Sequence, residues 1–140
     1  MYNKAMPKRD SCSIGKPFSA NDMYAPIGRG MLRKTKRYNN WIKQNVEIIK
    51  NEMDKVDFFP TSINVVIIGG RGLNSMTRND VDNFKKPICD LLVKAGIVPD
   101  DEKKYIDSVS IKYLPPVSSR GEPLTRISYD EPEQVEWIDV

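Results

Sequence analysis

The chain contains no histidine among its 140 residues. That absence excludes hydrolases whose general base is a histidine, and it excludes metal sites built on imidazole ligands. Cysteine is scarce as well: Cys12 and Cys89 lie far apart, so we expect two reduced structural thiols. The sequence has no P-loop and no G-x-G-x-x-G segment. Any chemistry must therefore depend on carboxylates, lysine, a metal ion and water.

Long apolar runs are also missing. None approaches the ~20 residues of a membrane span, and the N-terminus has no apolar signal-peptide stretch, so we expect an intracellular, cytoplasmic protein. The charged fraction of 29% and the hydrophobic fraction of 39% are typical of a globular protein. The length predicts one domain over 11–130, with a flexible leader over 1–10 and an acidic tail over 131–140.

The charge is unevenly distributed along the chain. Residues 1–50 contain 11 Lys and Arg against 3 Asp and Glu, whereas residues 51–140 contain 11 against 16. A basic half suits a polyanion such as nucleic acid, and the acidic half is where a metal site would lie. A solvated basic face would have the same composition, so charge alone leaves both interpretations open.

Hydrophobic spacing predicts a mixed α+β domain, with a mostly antiparallel mixed sheet packed by two main helices. Strands are predicted over 11–15, 62–69, 105–114 and 124–129, the last running antiparallel to the one before it, and helices over 36–55 and from about Lys85 to Ala95. Thr35 is the expected N-cap of the first helix, and Gly96 follows the end of the second. Because of its prolines and glycines, 16–33 is predicted to be irregular.

Two aspartates stand just before the second helix, in the segment 80–83 (DVDN), and a second acidic pair follows that helix. Carboxylate oxygens are the ligands that Mg²⁺ prefers, so Asp80 and Asp82 are candidate metal ligands. Asp and Asn are equally typical of a helix N-cap, and that alternative remains. Pro87 would crowd the helix if it began at Asn83, so we expect Asp80 and Asp82 on the loop before a helix starting near Lys85.

The chain is long enough to return a third carboxylate to this end of the helix. Ten helical residues, 86–95, rise ~15 Å, and five extended residues from Gly96 reach at most ~17 Å. The loop can therefore just bring Asp100 or Asp101 back. With a helix starting at Asn83, the alternative sources of the third acid are a later pairing in the chain or a partner subunit. Whether Asp107 joins the site stays open, and Asp90 is expected to pair with Lys86 or Lys94 across one turn.

The segment 78–87 (RNDVDNFKKP), the segment 90–97 (DLLVKAGI) and the pair Asp100 and Asp101 together resemble the RusA family of Holliday junction resolvases. The segment 17–21 (PFSAN), with Tyr24, resembles that family's N-terminal segment, and the resemblance covers most of 11–130. It implies a compact mixed α/β homodimer that cuts four-way DNA junctions by paired symmetric nicks, with Mg²⁺ or substituting Mn²⁺, in the cytoplasm of a bacterium or a phage-infected host.

The resemblance also implies roles for individual residues. It makes Asp80, Asp82 and Asp101 the catalytic, metal-binding aspartates and Lys86 a functionally important lysine. Aromatic side chains among arginines suit base stacking and phosphate contact. The residues expected to contact DNA are Asn21, Tyr24, Arg29, Arg33, Lys34, Lys36, Arg37, Arg71, Arg78 and Lys85. Two alternatives remain: a metal-dependent nuclease for flaps or forks, and a non-catalytic DNA-binding module whose acids are caps and surface charge.

Overall fold

The computed structural model describes residues 8–118 and 120–132. In chain order the elements are β1 (Ser11–Ile14), a 3-10 turn (Ala20–Asp22), β2 (Tyr24–Gly28), β3 (Met31–Lys34), α1 (Lys36–Glu52), β4 (Thr61–Ile68), α2 (Arg78–Asp82), α3 (Lys85–Lys94), β5 (Ile106–Leu114) and β6 (Leu124–Asp130). The predicted α+β class is confirmed. In these two ranges no helix combines the length and the apolar character needed to cross a bilayer.

Four strands form the main sheet, in the order β1-β6-β4-β5. The pairs β1–β6 and β6–β4 are antiparallel, and β4–β5 is parallel, so the predicted mixed, mostly antiparallel sheet is confirmed. β6 runs antiparallel to β5 as expected, but β4 lies between them. A parallel pair needs a crossover connection, which the chain supplies through α2 and α3.

The core lies between the sheet and the two long helices. Burial alternates along β4, where Ile63, Val65 and Ile67 are buried on the helical side. Ile49 of α1 and Leu91 of α3 are fully buried in the same cluster. The two-residue period of β4 and the helical period of α1 and α3 therefore bring apolar side chains to one interface.

Local signals place the start of α1 and the end of α3 close to where they were predicted. The Thr35 hydroxyl accepts a hydrogen bond from the Tyr38 N–H and caps α1, which ends at Glu52, a few residues earlier than expected. After α3, Gly96 has a φ of +74° and donates to the Val93 carbonyl. That is the left-handed C-terminal cap that glycine favours, and it confirms the predicted end of the helix.

A hairpin replaces the irregular structure predicted for 16–33. β2 pairs antiparallel with β3 in a separate two-stranded sheet. The connecting residues Arg29 and Gly30 both have positive φ, as a tight two-residue hairpin turn requires. Pro26 suggested a chain break, but a two-stranded sheet has only edge strands, where proline is tolerated.

The predicted leader and tail lie largely outside the described residues, which omit 1–7 and 133–140. The last part of the leader is described, and it is attached to the domain. Arg9 donates to the Asp54 carboxylate and to the Asn51 carbonyl, and Lys8 forms an ion pair with Asp57. Residues 8 and 9 are thus held against the end of α1 and the segment after it.

Candidate functional site

The two helices α2 and α3 are separated by a break at Asn83 and Phe84. Pro87 has no N–H, so the Asn83 carbonyl cannot receive a helical hydrogen bond from it. That carbonyl instead accepts from the Ala20 N–H at 2.7 Å. The predicted start of the regular helix at Lys85 is confirmed.

The two aspartates lie within α2, so their predicted placement on a loop is wrong. Asp80 forms a capping box with Thr77: its carboxylate accepts from the Thr77 N–H at 2.9 Å, and its own N–H donates to the Thr77 hydroxyl at 3.2 Å. These bonds hold the pKa of Asp80 below its usual value. Asp82 takes no part in the cap and pairs with Lys85 at 3.6 Å.

Asp101 returns to the first turns of α3. The Lys86 ammonium lies 3.6 Å from Asp101 Oδ2 and 3.3 Å from Asp90 Oδ1. The chain after α3 therefore runs back along the helix, a path that the reach argument allowed, and the predicted Lys86–Asp90 pair is confirmed. Asp100 Oδ1 accepts from the Asp101 N–H at 2.7 Å.

The charge state of Lys86 follows from these neighbours. Partial burial opposes the charged form, but Asp90 and Asp101 outweigh that effect and raise the pKa of Lys86. The ammonium therefore stays protonated across the physiological range. A protonated lysine can donate a hydrogen bond to an anionic oxygen without a change in its own charge, although its two carboxylate neighbours already offset that charge.

Sequence reasoning missed Tyr38 as a member of this site. Its hydroxyl donates a 2.8 Å hydrogen bond to Asp90 Oδ2. Burial raises the pKa of Tyr38, and the hydrogen bond to Asp90 raises it further, so the hydroxyl remains a donor. The only sequence signal for Tyr38 was its place in the apolar stripe of α1, which marks burial and says nothing about a polar partner.

A cavity of about 240 Å³ opens beside this network. It is lined by the hairpin residues Tyr24 and Lys34 together with Lys86, Asp90, Val93, Lys94, Asp100 and Asp101. The structure thus brings four of the predicted site residues, Tyr24, Lys34, Lys86 and Asp101, to one cavity. The hairpin that sequence analysis did not predict is what places the first two there.

Across residues 8–118 and 120–132, no group of three or more Asp, Glu, His or Cys side chains is close enough to hold a metal ion. Asp80, Asp82 and Asp101 therefore do not form a single ligand set within one chain. The donor chemistry nevertheless fits a hard divalent cation, because all three are exposed carboxylates. Asp107 lies elsewhere, in a polar depression with Asn64 on the opposite face of the sheet.

The residues predicted to contact DNA occupy several exposed positions. Asn21 lies in the 3-10 turn, while Tyr24, Arg29, Arg33 and Lys34 lie on the hairpin, Lys36 and Arg37 on the first turn of α1, Arg71 after β4, and Arg78 at the start of α2. Two of the predicted cations have ion-pair partners: Arg37 pairs with Asp22 at 3.4 Å, and Lys85 pairs with Asp82. Such exposed pairs are weak, so a phosphate can replace the carboxylate.

No protein-family model and no curated protein sequence matches this chain. Its function must therefore be inferred from its own residues and contacts.

Proposed function

We propose that this chain is a divalent-metal-dependent endonuclease that resolves four-way DNA junctions by paired symmetric nicks and acts as a homodimer. The observation that carries the proposal is the return of Asp101 to Lys86, on the helix that starts just after the Asp80 and Asp82 pair. The resemblance to the RusA family suggests the junction as substrate. It also suggests a role in DNA recombination and repair, in the cytoplasm of a bacterium or a phage-infected host.

Because Asp80, Asp82 and Asp101 do not form one ligand set within this chain, binding of Mg²⁺ or Mn²⁺ would have to bring Asp82 and Asp101 together, and Asp80 would contribute a carboxylate oxygen not used in its cap. Such a cation, when bound, lowers the pKa of a coordinated water and offsets negative charge on the phosphate. For Asp82 to ligate, its contact with Lys85 must open, which an exposed pair permits at little cost. Hydrogen bonding from Thr77 holds the pKa of Asp80 below its usual value, which favours the ionised form that a cation requires.

Lys86 supplies positive charge without a metal. Its ammonium is protonated, and Asp90 orients it toward the side of α3 where Asp101 lies. From that position it would contact a non-bridging oxygen of the scissile phosphate and stabilise the charge that develops during attack. Asp90 and Tyr38 are positioning residues, since they act through Lys86.

The exposed cations of the hairpin and of α1 would hold the DNA backbone. Phosphate contacts fix orientation without reading sequence, so binding should weaken as salt concentration rises. A twofold dimer matches a four-way junction because the junction presents two equivalent strands for cutting. Two sites related by that symmetry would make the paired nicks.

A synthetic immobile four-way junction with Mg²⁺ tests the proposal. We expect paired nicks from the wild type, and retained junction binding without cleavage from Asp82→Asn and Asp101→Asn. Asp107→Asn is the matched control, since Asp107 lies on the opposite face of the sheet, and it should cleave as the wild type does. Cleavage by Asp82→Asn at the wild-type rate would contradict the site.

One observation favours a second candidate, a non-catalytic DNA-binding module. Asp82 and Asp101 each have a lysine partner, and Asp80 caps a helix, so every acid also has a structural role. Such a module would bind junctions without Mg²⁺-dependent cleavage, and Asp82→Asn would leave binding unchanged. A nuclease for flaps or forks would use the same aspartates, and a panel of branched substrates with the wild-type protein separates it from a junction resolvase.

A further inference from the structure

A larger cleft of about 460 Å³ lies beside α2. Its walls include the aromatic residues Phe18, Trp41 and Phe84, and Asp80 borders it. That volume is within the range of pockets that bind small organic groups, about 300–1,000 Å³. The cleft thus adjoins one of the candidate metal ligands without being part of the Lys86 cavity.

The aromatic wall of the cleft is held in place by its own contacts. Phe18 packs against Trp41 with ring centroids 5.8 Å apart and against Tyr38 at 5.5 Å. The Trp41 indole N–H donates to the Lys16 carbonyl at 2.9 Å. Phe18 and Trp41 are only half-buried, so part of their surface remains open to solvent. A wall ordered in advance loses little conformational entropy when a flat ligand stacks on it.

Two cations and two carboxylates, Asp22 and Asp80, also line the cleft. Lys16 and Arg37 both line it, and both are exposed. Lys16 forms no ion pair with any of the described residues, and Arg37 has only the exposed contact with Asp22. An aromatic wall next to two cations suits a flat ring joined to a phosphate, which is the chemistry of a nucleotide.

We propose that this cleft binds an unpaired nucleobase of the DNA substrate, stacked on Phe18 and Trp41, with Lys16 and Arg37 at its phosphates. The inference rests on the proposed function, because Asp80 at the edge of the cleft places the base next to the candidate nuclease site. Taking a base out of a duplex costs stacking and pairing energy, and the cost is least where pairing is already interrupted. The cleft would therefore favour branch points over continuous duplex.

The test is a binding cycle performed in EDTA, where no cleavage occurs. Wild type and Phe18→Ala are titrated with an immobile four-way junction, with the same junction made abasic at each branch nucleotide in turn, and with a continuous duplex. We expect Phe18→Ala to weaken binding to the intact junction on the order of tenfold and to leave duplex binding unchanged. For the junction abasic at the accommodated position, Phe18→Ala should cause no further loss.

Two further variants are controls. Phe18→Tyr retains the ring and should bind as the wild type does, and Phe59→Ala removes an exposed ring that does not line the cleft and should have no effect. Thermal unfolding of Phe18→Ala checks that the fold is intact. Equal losses with every abasic and intact junction would overturn the base pocket, as would an equal loss with duplex.

Wild-type cleavage of the junction in Mg²⁺ is measured separately. Coupling between Phe18 and an abasic position without any cleavage would support the pocket and contradict the nuclease. Cleavage without that coupling would support the nuclease and contradict the pocket.

Discussion

The hydroxyl of Tyr38 on α1 donates a 2.8 Å hydrogen bond to Asp90 Oδ2 on α3, across 52 residues of sequence. The other carboxylate oxygen of Asp90 faces the Lys86 ammonium at 3.3 Å. Through these two contacts, α1, which carries none of the candidate metal ligands, helps to position the Lys86 ammonium.

Tyr38→Phe removes this bond while keeping the buried ring. We expect the free energy of unfolding to fall by about 2 kcal/mol in urea titrations, because a hydrogen bond to a charged group contributes about 1.5–3 kcal/mol. Junction cleavage should fall as well, since Asp90 then holds Lys86 less firmly. Tyr24→Phe is the control, because Tyr24 is exposed, and it should leave stability unchanged.

Lys86→Ala should lower the rate of junction cleavage on the order of a hundredfold, as the loss of one preorganised charge at a transition state does. Junction affinity should change little, because under the proposal many other cations would still contact the DNA backbone. Lys94→Ala removes a second lysine from the same cavity and should cleave nearly as fast as the wild type. An unchanged rate for Lys86→Ala would remove its proposed role.

Asp80 has a cap role and a proposed ligand role, and two substitutions separate them. Thr77→Ala removes the cap hydroxyl and should destabilise the protein by about 1 kcal/mol, whereas Thr77→Ser should not. Asp80→Asn keeps an oxygen that can accept from the Thr77 N–H, so it should keep most of the stability and lose cleavage. Urea unfolding measures the stability of these variants, and junction assays on the same preparations measure cleavage. If Asp80→Asn lost stability but not cleavage, Asp80 would be a helix cap and not a metal ligand.

The salt dependence of DNA binding tests the hairpin. For each phosphate contact removed, the slope of log affinity against log salt concentration should become shallower by about 0.9. We expect this change for Arg29→Gln and for Arg33→Gln. Lys112→Gln is the control, since Lys112 is an exposed residue of the main sheet, on β5. If Lys112→Gln changed the slope of the salt dependence by the same amount, the change would be a nonspecific effect of charge.

The two thiols should be unreactive in the native protein. Burial raises the pKa of both Cys12 and Cys89 to about 11, from an ordinary value of 9.0. The pKa of each thiol is higher in the folded protein than in the unfolded chain. The contribution of each thiol to the free energy of unfolding is therefore fully present below pH 9 and is lost as the pH rises toward 11. Disulfide-exchange reagents at pH 8 should label neither thiol until the protein unfolds, and rapid native labelling would contradict their burial.

The sequence predicts most of this fold because the deciding signals are local. The spacing of apolar residues, Thr35 at the start of α1 and Gly96 after α3 each act within a few residues, and the structure confirms them. The hairpin has too few alternating apolar residues to be recognised. α2 is a five-residue helix that begins with a capping box rather than an apolar stripe, so periodicity cannot reveal it.

The candidate site likewise contains some contacts that the sequence indicates and others that it does not. Chain length allowed the return of the segment after α3, and the i to i+4 spacing predicted the pair of Lys86 with Asp90. The bond from Tyr38 to Asp90 depends on how α1 packs against α3, which no local pattern encodes. The position of β6 beside β4 depends on non-local strand pairing for the same reason.

The pairing of β1 with β6 has a consequence for how the chain folds during synthesis. Within the part of the chain that the structure describes, β1 pairs only with β6 in the main sheet, and the Thr125 hydroxyl donates to the Gly15 carbonyl 110 residues earlier. At a translation rate of roughly 5–20 residues per second, β1 waits on the order of ten seconds for its partner. Meanwhile β4, α3 and β5 can assemble, so we expect the last step of folding to be the pairing of the first and last strands at one edge of the sheet.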